Sequence, residues 1–344
     1  MAKKEKPEVT SKEDALALAI DTINKTFGKG SVLVGKQNVP GVQFIPSGSL
    51  ALDKALGGGW ARGRIVEIYG PPSSGKTTLT LHAVAEAQKM GLKTAFIDAE
   101  HALDPVYAEA LGINLDELLI SQPDSAEEGL QIVRMLAQTG AVGLIIVDSV
   151  AALVPQAELE KNIGDSSVGR QALMMSQAMR MLAGVVHETN TTVFFINQIR
   201  MKIGVMFGNP ETTSGGNALS FYASQRVDVR RQEGIKQGEE IVANATRAKV
   251  VKNKVATPFQ EAHFNIVFGK GIDKWEDLLT IGESLGLITR AGAWYKVDKL
   301  QGQGRPGAID LLKENPRFCE RIRNEALGVK DETQEDSSTN TSEE

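Results

Sequence analysis

The chain has 344 residues, 24% of them charged, a formal net charge of −5 and a single cysteine, Cys319. That length carries one large α/β domain and a smaller one, and one cysteine excludes an internal disulfide or a cysteine-rich zinc site. The charged start Met1-Ala-Lys-Lys-Glu-Lys is no secretory signal and no apolar run could cross a bilayer, so a cytoplasmic enzyme with no membrane partner is expected.

Lys12 to Phe27 places Ala15, Leu16, Ala19, Ile20, Ile23 and Phe27 on one helical face, and Gly28-Lys29-Gly30 ends it. Ser31 to Val34 reads as a short extended segment. The apolar face packs either on its own core or on a neighbouring subunit. Strands are then expected at Ile65–Tyr69, Thr94–Asp98, Leu118–Ser121, Leu144–Asp148 and Thr192–Asn197. Helices are expected at Thr77–Met90, Ala126–Gln138 and Gln171–Glu188. This alternation predicts a mainly parallel sheet that binds ligands at the strands' carboxyl ends. Ile199 to Ser214 shows no secondary-structure signal, and such long stretches are often functional. Arg226–Arg230, Arg247–Val251 and His263–Val267 read as further strands that extend the sheet in mixed orientation. From about Asp273 a small α/β module is expected, with a glycine-rich interruption at Gln301–Gly307. His82 and His187 read as helix-packing or solvated side chains. Residues 328–344 carry six acids and one base, which leaves the remainder neutral, and are expected to be disordered. This tail is either a solubilising end or an acidic mimic that competes for a basic surface.

Gly70-Pro71-Pro72-Ser73-Ser74-Gly75-Lys76-Thr77 matches the phosphate-loop pattern G-x-x-x-x-G-K-[ST] between a strand and a helix. Such a loop turns several backbone N–H groups toward one anion. Lys76 would reach the β- and γ-phosphates, and Thr77 would hold Mg²⁺. Asp148, ending an apolar strand, is the matching magnesium carboxylate. Glu100, just beyond another strand, is either a base that activates water or a helix-capping acid. Gln198 ends a third strand with an amide able to sense a γ-phosphate. Lys252 and Lys254 alternate along a strand and share one face, where they could neutralise a transferring phosphate.

Together, Gly70–Thr77, Ile97–Pro105, Leu144–Val150, Asn197–Arg200, Gly215–Leu219 and Val250–Lys254 resemble the bacterial RecA recombinase family, in unbroken order from about Lys12 to Leu327. The resemblance implies a P-loop RecA-type ATPase core with a mainly parallel twisted sheet. It also implies an N-terminal helix-strand polymerisation arm (1–37), a core over 38–273, a duplex-gathering C-terminal module (274–330) and an acidic tail (331–344). The activity implied is that of an ATP- and Mg²⁺-dependent filament on single-stranded DNA. It would carry out homologous pairing and strand exchange with duplex DNA, and promote self-cleavage of a LexA-type SOS repressor.

By the same resemblance, Glu100 is the catalytic base, Gln198 the γ-phosphate sensor, and Lys252 and Lys254 reach ATP across the subunit interface. Asp104 and Tyr107 match adenine contacts, and Thr78 extends the ATP site. Gln156–Gly169 and Gln198–Ser214 match two DNA-binding loops, with Arg170, Arg200, Met201, Phe207, Gly215 and Gly216 in or beside them. Phe221 and Arg226 match interface and DNA-side positions, and Arg290 and Arg305 match basic positions of the C-terminal module. Ser167 stands where the family often has His, Arg170 at a usually apolar position and Leu173 where Arg is common. A helicase-type motor on the same core is the alternative.

Overall fold

The computed structural model describes residues 11–28, 30–32, 41–162, 169–201, 208 and 210–329. The chain divides into two compact units, residues 1–42 and 43–344. The first contains helix α1 (Lys12–Phe27), where the Ser11 side chain accepts from the Asp14 N–H and Lys25 pairs with Asp21. No residue of α1 is buried, and Leu16 and Phe27 are 62% and 77% exposed. Ser31 and Val32 form a bend, while Leu33 and Val34 lie outside the described residues.

The second unit begins with β1 (Phe44–Ile45), α2 (Leu50–Leu56) and β2 (Trp60–Ala61), followed by β3 (Ile65–Gly70) and α3 (Lys76–Lys89). Next come β4 (Lys93–Asp98), α4 (Pro105–Ala110), β5 (Leu118–Ser121), α5 (Ala126–Gln138), β6 (Val142–Asp148) and α6 (Gln156–Leu159). The chain continues through α7 (Arg170–Glu188), β7 (Thr192–Met201), β8 (Glu211–Thr213), α8 (Ala218–Tyr222), β9 (Gln225–Gln237) and β10 (Glu240–Asn253). It then forms β11 (Glu261–Val267), β12 (Gly271–Ile272), α9 (Lys274–Ser284), β13 (Ile288–Ala291), β14 (Trp294–Val297), β15 (Leu300–Gln303), α10 (Gly304–Glu314) and α11 (Pro316–Leu327).

The central sheet has the order β12-β11-β10-β9-β3-β7-β6-β4-β5. Every pairing from β9 to β5 is parallel, and β9 to β12 are joined antiparallel. The expected parallel sheet with a mixed extension is therefore what forms. Side chains alternate across it. Val66, Ile68, Phe194 and Ile196 pack with α3, whereas Ile65, Phe195 and Val147 pack with α5 and α7. Both faces are covered, which is why these strands read as unbroken apolar runs.

Three stretches differ from the sequence expectation. β7 does not stop at Asn197 but runs to Met201, because β8 pairs with it from Ile199↔Thr213 to Met201↔Glu211. β9 and β10 form a hairpin far longer than the apolar cores of those strands, the outer part of β9 being mostly polar and exposed. The supposed interruption at Gln301–Gly307 is the end of β15 and the first turn of α10. Glycine is required there for packing, since a Cβ on Gly302 would sit 2.7 Å from the Gly307 carbonyl.

α9 to α11 and the three-stranded antiparallel sheet β13-β14-β15 form the small C-terminal module around Leu279, Tyr295, Leu312 and Ile322. Leu50 of α2 belongs to the same apolar cluster. Asp277 of α9, 4% exposed, accepts from the Ala51 N–H at 3.3 Å and so caps α2 from outside. Burial pushes its carboxyl up to about 6.

Candidate functional site: a nucleotide cavity at the carboxyl edge of the sheet

β3 runs into Gly70, which lies so close to β9 that a Cβ would meet the Val229 carbonyl oxygen at 2.1 Å and Ser74 Oγ at 2.9 Å. Pro71 and Pro72 begin the turn, Ser73 has φ 55°, and Gly75 (φ 95°) caps α3. Gly75 offers no side-chain cap and no acid stands in the first turn. The N–H groups at the start of α3 are therefore left without a capping side chain and suit an anion. Lys76 follows, 9% exposed, its Nζ donating to the Pro71 carbonyl at 2.7 Å. Burial lowers its pKa, while Asp148 and Glu100 act in the opposite sense.

Beside the loop lies a cavity of about 450 Å³, within the range of small-ligand sites. Residues 73–78 form one wall. Tyr107 contributes to the lining, and its OH lies 3.1 Å from Thr78 Oγ1. Asp104 does not line it; that carboxylate caps α4, accepting from the Val106 and Tyr107 N–H groups. Arg231, Asn244, Thr246 and Phe268 close the far side from the antiparallel half of the sheet. The sequence reading missed these four. Their one signal is that Asn244 and Thr246 share a strand face. Asn244 Oδ1 is buried and has no hydrogen-bond partner among the described residues.

At the phosphate end, Thr77 Oγ1 donates to Asp148 Oδ2 at 2.9 Å. Burial pushes the Asp148 carboxyl up to about 6, the Thr77 hydrogen bond opposes that, and Glu100 and Asp98 add to it. A hydroxyl and a carboxylate are hard oxygen donors that suit Mg²⁺ when phosphate oxygens and water complete its shell. Among the described residues no group of three or more His, Cys, Asp and Glu forms a self-contained metal site.

Glu100 stands just past β4, its backbone tied to β6 through the Asp148 carbonyl. Its Oε1 accepts from Ser149 Oγ and, at 3.1 Å, from Gln198 Nε2. The fold thus brings Glu100, Gln198, Asp148, Thr77 and Lys76 to one edge. Ser149, fully buried, joins them unforeseen; its only sequence signal is its place directly after Asp148.

The remaining candidates lie elsewhere. Lys252 Nζ donates to the Ser220 and Phe221 carbonyls, both at 2.8 Å, and Lys252 and Lys254 are not among the residues that line the cavity. Burial, Lys254 and Arg226 lower the Lys252 pKa. Arg170 opens α7, exposed, and Arg200 and Met201 are exposed at the end of β7. Phe207 and Ser167 lie outside the described residues. Gly215 and Gly216 (φ 78° and 74°) lie against Val150 and Ala172, where a Cβ would approach to 2.9 and 2.8 Å. Phe221 is 70% exposed. Arg226 is committed inward: its guanidinium pairs with fully buried Glu67 and lies 4.9 Å from the centre of the Tyr69 ring. Arg305 is held by Glu276 and Glu283, whereas Arg290 is exposed over Tyr295.

A glycine loop opening a helix, a Thr–Asp oxygen pair and a nucleotide-sized cavity define a P-loop nucleoside triphosphatase carrying a small C-terminal module. A family model for the RecA N-terminal domain matches residues 14–273, and one for the RecA C-terminal domain matches residues 276–328. The chain belongs to the RecA family. Relatives named Protein RecA include one from Oceanobacillus iheyensis, 57% identical over 318 residues, 91% of each chain. Another, from Desulforapulum autotrophicum, is 55% identical over 332 residues, 95% of this chain and 96% of the relative. One from Rhodospirillum rubrum is 55% identical over 321 residues, 92% and 88% of the two chains. The crystal structure of the RadB recombinase shares the fold, with a TM-score of 0.51 at 24% identity over 67% of this chain and 98% of that one. As a RecA-family protein, the chain is a DNA-dependent, nucleotide-binding ATPase of homologous recombination and repair, with DNA and its own copies as partners. Among the described residues no helix is long and apolar enough to cross a membrane.

Proposed function

We infer that the protein hydrolyses ATP within a cytoplasmic filament on single-stranded DNA, pairs that strand with homologous duplex, and promotes self-cleavage of a LexA-type repressor. The observation that carries this reading is the 3.1 Å hydrogen bond between Gln198 and Glu100. It joins the edge where a γ-phosphate would lie to the strand that continues into Arg200 and Met201.

Residues 70–78 hold the phosphates, Lys76 placing a cation on the β and γ oxygens. Thr77 and Asp148 are the residues that would hold Mg²⁺, which when bound neutralises charge on those oxygens. Glu100 accepts a proton from water as the water oxygen bonds to the γ-phosphorus and the bond to the β–γ bridging oxygen breaks. Ser149 and Gln198 orient the carboxylate. Where Gln198 swings its amide from Glu100 to a γ-phosphate, ligand binding and the freeing of the base are one event. Lys252 and Lys254, remote from their own chain's cavity, serve a neighbour's site. Assembly then gates hydrolysis.

Helix α1 with its uncovered apolar face, residues 1–37 as an arm, and the exposed Phe221 support self-association. The two loops with Arg170, Arg200, Met201, Phe207, Gly215 and Gly216 in or beside them take the single strand, and residues 274–330, through Arg290, gather duplex. Arg226 and Arg305, both held in ion pairs, keep these surfaces in shape. Hydrolysis measured with and without single-stranded DNA tests the reading. Strong stimulation that Glu100→Ala abolishes is expected, and a rate indifferent to DNA would refute it.

A further inference from the structure

The residue beside Gln198 has every polar atom of its side chain engaged. Successive side chains of β7 point to opposite faces. Gln198 shares the α3 face with Ile196 and Phe194, and Asn197 shares the α7 face with Phe195. Asn197 is fully buried. Its Nδ2 donates to Glu67 Oε1 at 3.0 Å and to the Ser214 carbonyl at 3.0 Å, and its Oδ1 accepts from the Gln198 N–H at 2.9 Å. Both donors and the carbonyl are used. Glu67 is in turn anchored to Arg226 on β9. A buried charge with a partner on each side is costly to displace.

These bonds join three places. Glu67 lies on β3, three residues before the phosphate loop. Gln198 reaches Glu100. Ser214 is where the chain returns from the second candidate DNA loop, directly before Gly215 and Gly216, which rest on Val150 and Ala172. The contact extends further, since Gln171 at the start of α7 donates to the Val150 and Leu153 carbonyls at 2.8 and 2.9 Å. A rotation of the Gln198 peptide must therefore carry the Asn197 amide with it or break a buried hydrogen bond. When the amide is carried along, the Nδ2 bond that holds Ser214 shifts with it.

We propose that Asn197 is the positioning residue that couples the γ-phosphate state read by Gln198 to the return of the second DNA loop at Ser214–Gly216, with Glu67 and Arg226 as its fixed anchor. This rests on the ATPase-filament reading given above. Coupling of this kind is a ratio of affinities and is reciprocal between the two ligands.

The test measures binding of a labelled oligo-dT by the full-length protein, saturated either with a non-hydrolysable ATP analogue or with ADP. The wild-type ratio of the two affinities is compared with that of Asn197→Ala and Asn197→Asp. The aspartate retains the acceptor for the Gln198 N–H but cannot donate to Ser214, and it faces the Glu67 carboxylate. Loss of one net hydrogen bond from the coupled state lowers the ratio about tenfold with ADP-state binding held, while the thermal midpoint falls because buried partners are left unpaired. If both affinities fall together and the ratio stays, Asn197 is structural and the proposal is overturned. If Asn197→Ala does not fold, Asn197→Asp and Glu67→Gln carry the same comparison. A wild-type ratio of one would overturn the filament reading itself, whereas an intact ratio in the variants alone would overturn only the role of Asn197.

Discussion

Acidification of His82 is the perturbation that the structure sizes best. His82 lies in α3, 2% exposed, and its Nε2 accepts from the Ile272 N–H at 2.9 Å, tying β12 to the phosphate-loop helix. Burial, with help from Lys274 and Lys89, pushes its pKa down from 6.5 to about 4. The folded pKa lies below the unfolded one, so between these values the unfolded chain binds more protons and stability falls as pH falls. Protonation would also fill the lone pair that Ile272 uses. Linkage over that interval gives a loss of about 2.5 kcal/mol between pH 7 and pH 4.5 from this group alone. Urea unfolding midpoints, read at half-unit pH steps for wild type and His82→Leu, isolate the term. The variant starts lower, since it leaves the Ile272 N–H unpaired at a cost of about 1–3 kcal/mol, and the difference between the two proteins then shrinks toward low pH. Parallel pH curves for the two proteins would refute the reasoning.

Asp53 gives the opposite sign. Burial raises its carboxyl from 3.8 to about 7, so it favours the fold at low pH and that contribution is lost as pH rises through 7. Asp53→Asn should flatten the fall in unfolding free energy between about pH 4 and pH 7. Gly70→Ala places a Cβ 2.1 Å from the Val229 carbonyl, and should lower the thermal midpoint by the equivalent of about 1–3 kcal/mol while raising the KM for ATP. Lys76→Ala removes the buried cation of the loop and should cost about 10²–10³ in kcat, read by phosphate release under saturating single-stranded DNA. Truncation after Leu327 removes the acidic tail and should tighten duplex binding in a gel-shift assay at fixed salt.

The placement of the phosphate loop, Asp148 and Glu100 at the carboxyl ends of strands was legible because each is written in contiguous residues, a strand followed by a turn. Gln198 was expected to end its strand, whereas β7 runs past it to Met201, and its partner was not legible, because Glu100 is 98 residues away and the pairing exists only once β4, β6 and β7 align. Ser149 was hidden for the same reason. Arg226 matches a DNA-side position by resemblance, and nothing near it in sequence signals an inward partner. Glu67, a lone acid in an apolar strand 159 residues earlier, turns it inward. β8 is three residues long and polar, so no periodicity announces it. It forms because the end of β7 needs a partner for its backbone groups. The antiparallel hairpin was legible only where one face is apolar.

The capping of α2 by Asp277 makes the boundary between the two halves of the large unit a poor place to cut. A fragment stopped at residue 273 would lose the acceptor for the Ala51 N–H and uncover Leu50, wounding the nucleotide-binding half in the act of removing its neighbour. Deletion phenotypes would then mix two causes. Exchange of single side chains on the outer surface of the module, such as Arg290, leaves that joint whole and is the cleaner genetic instrument.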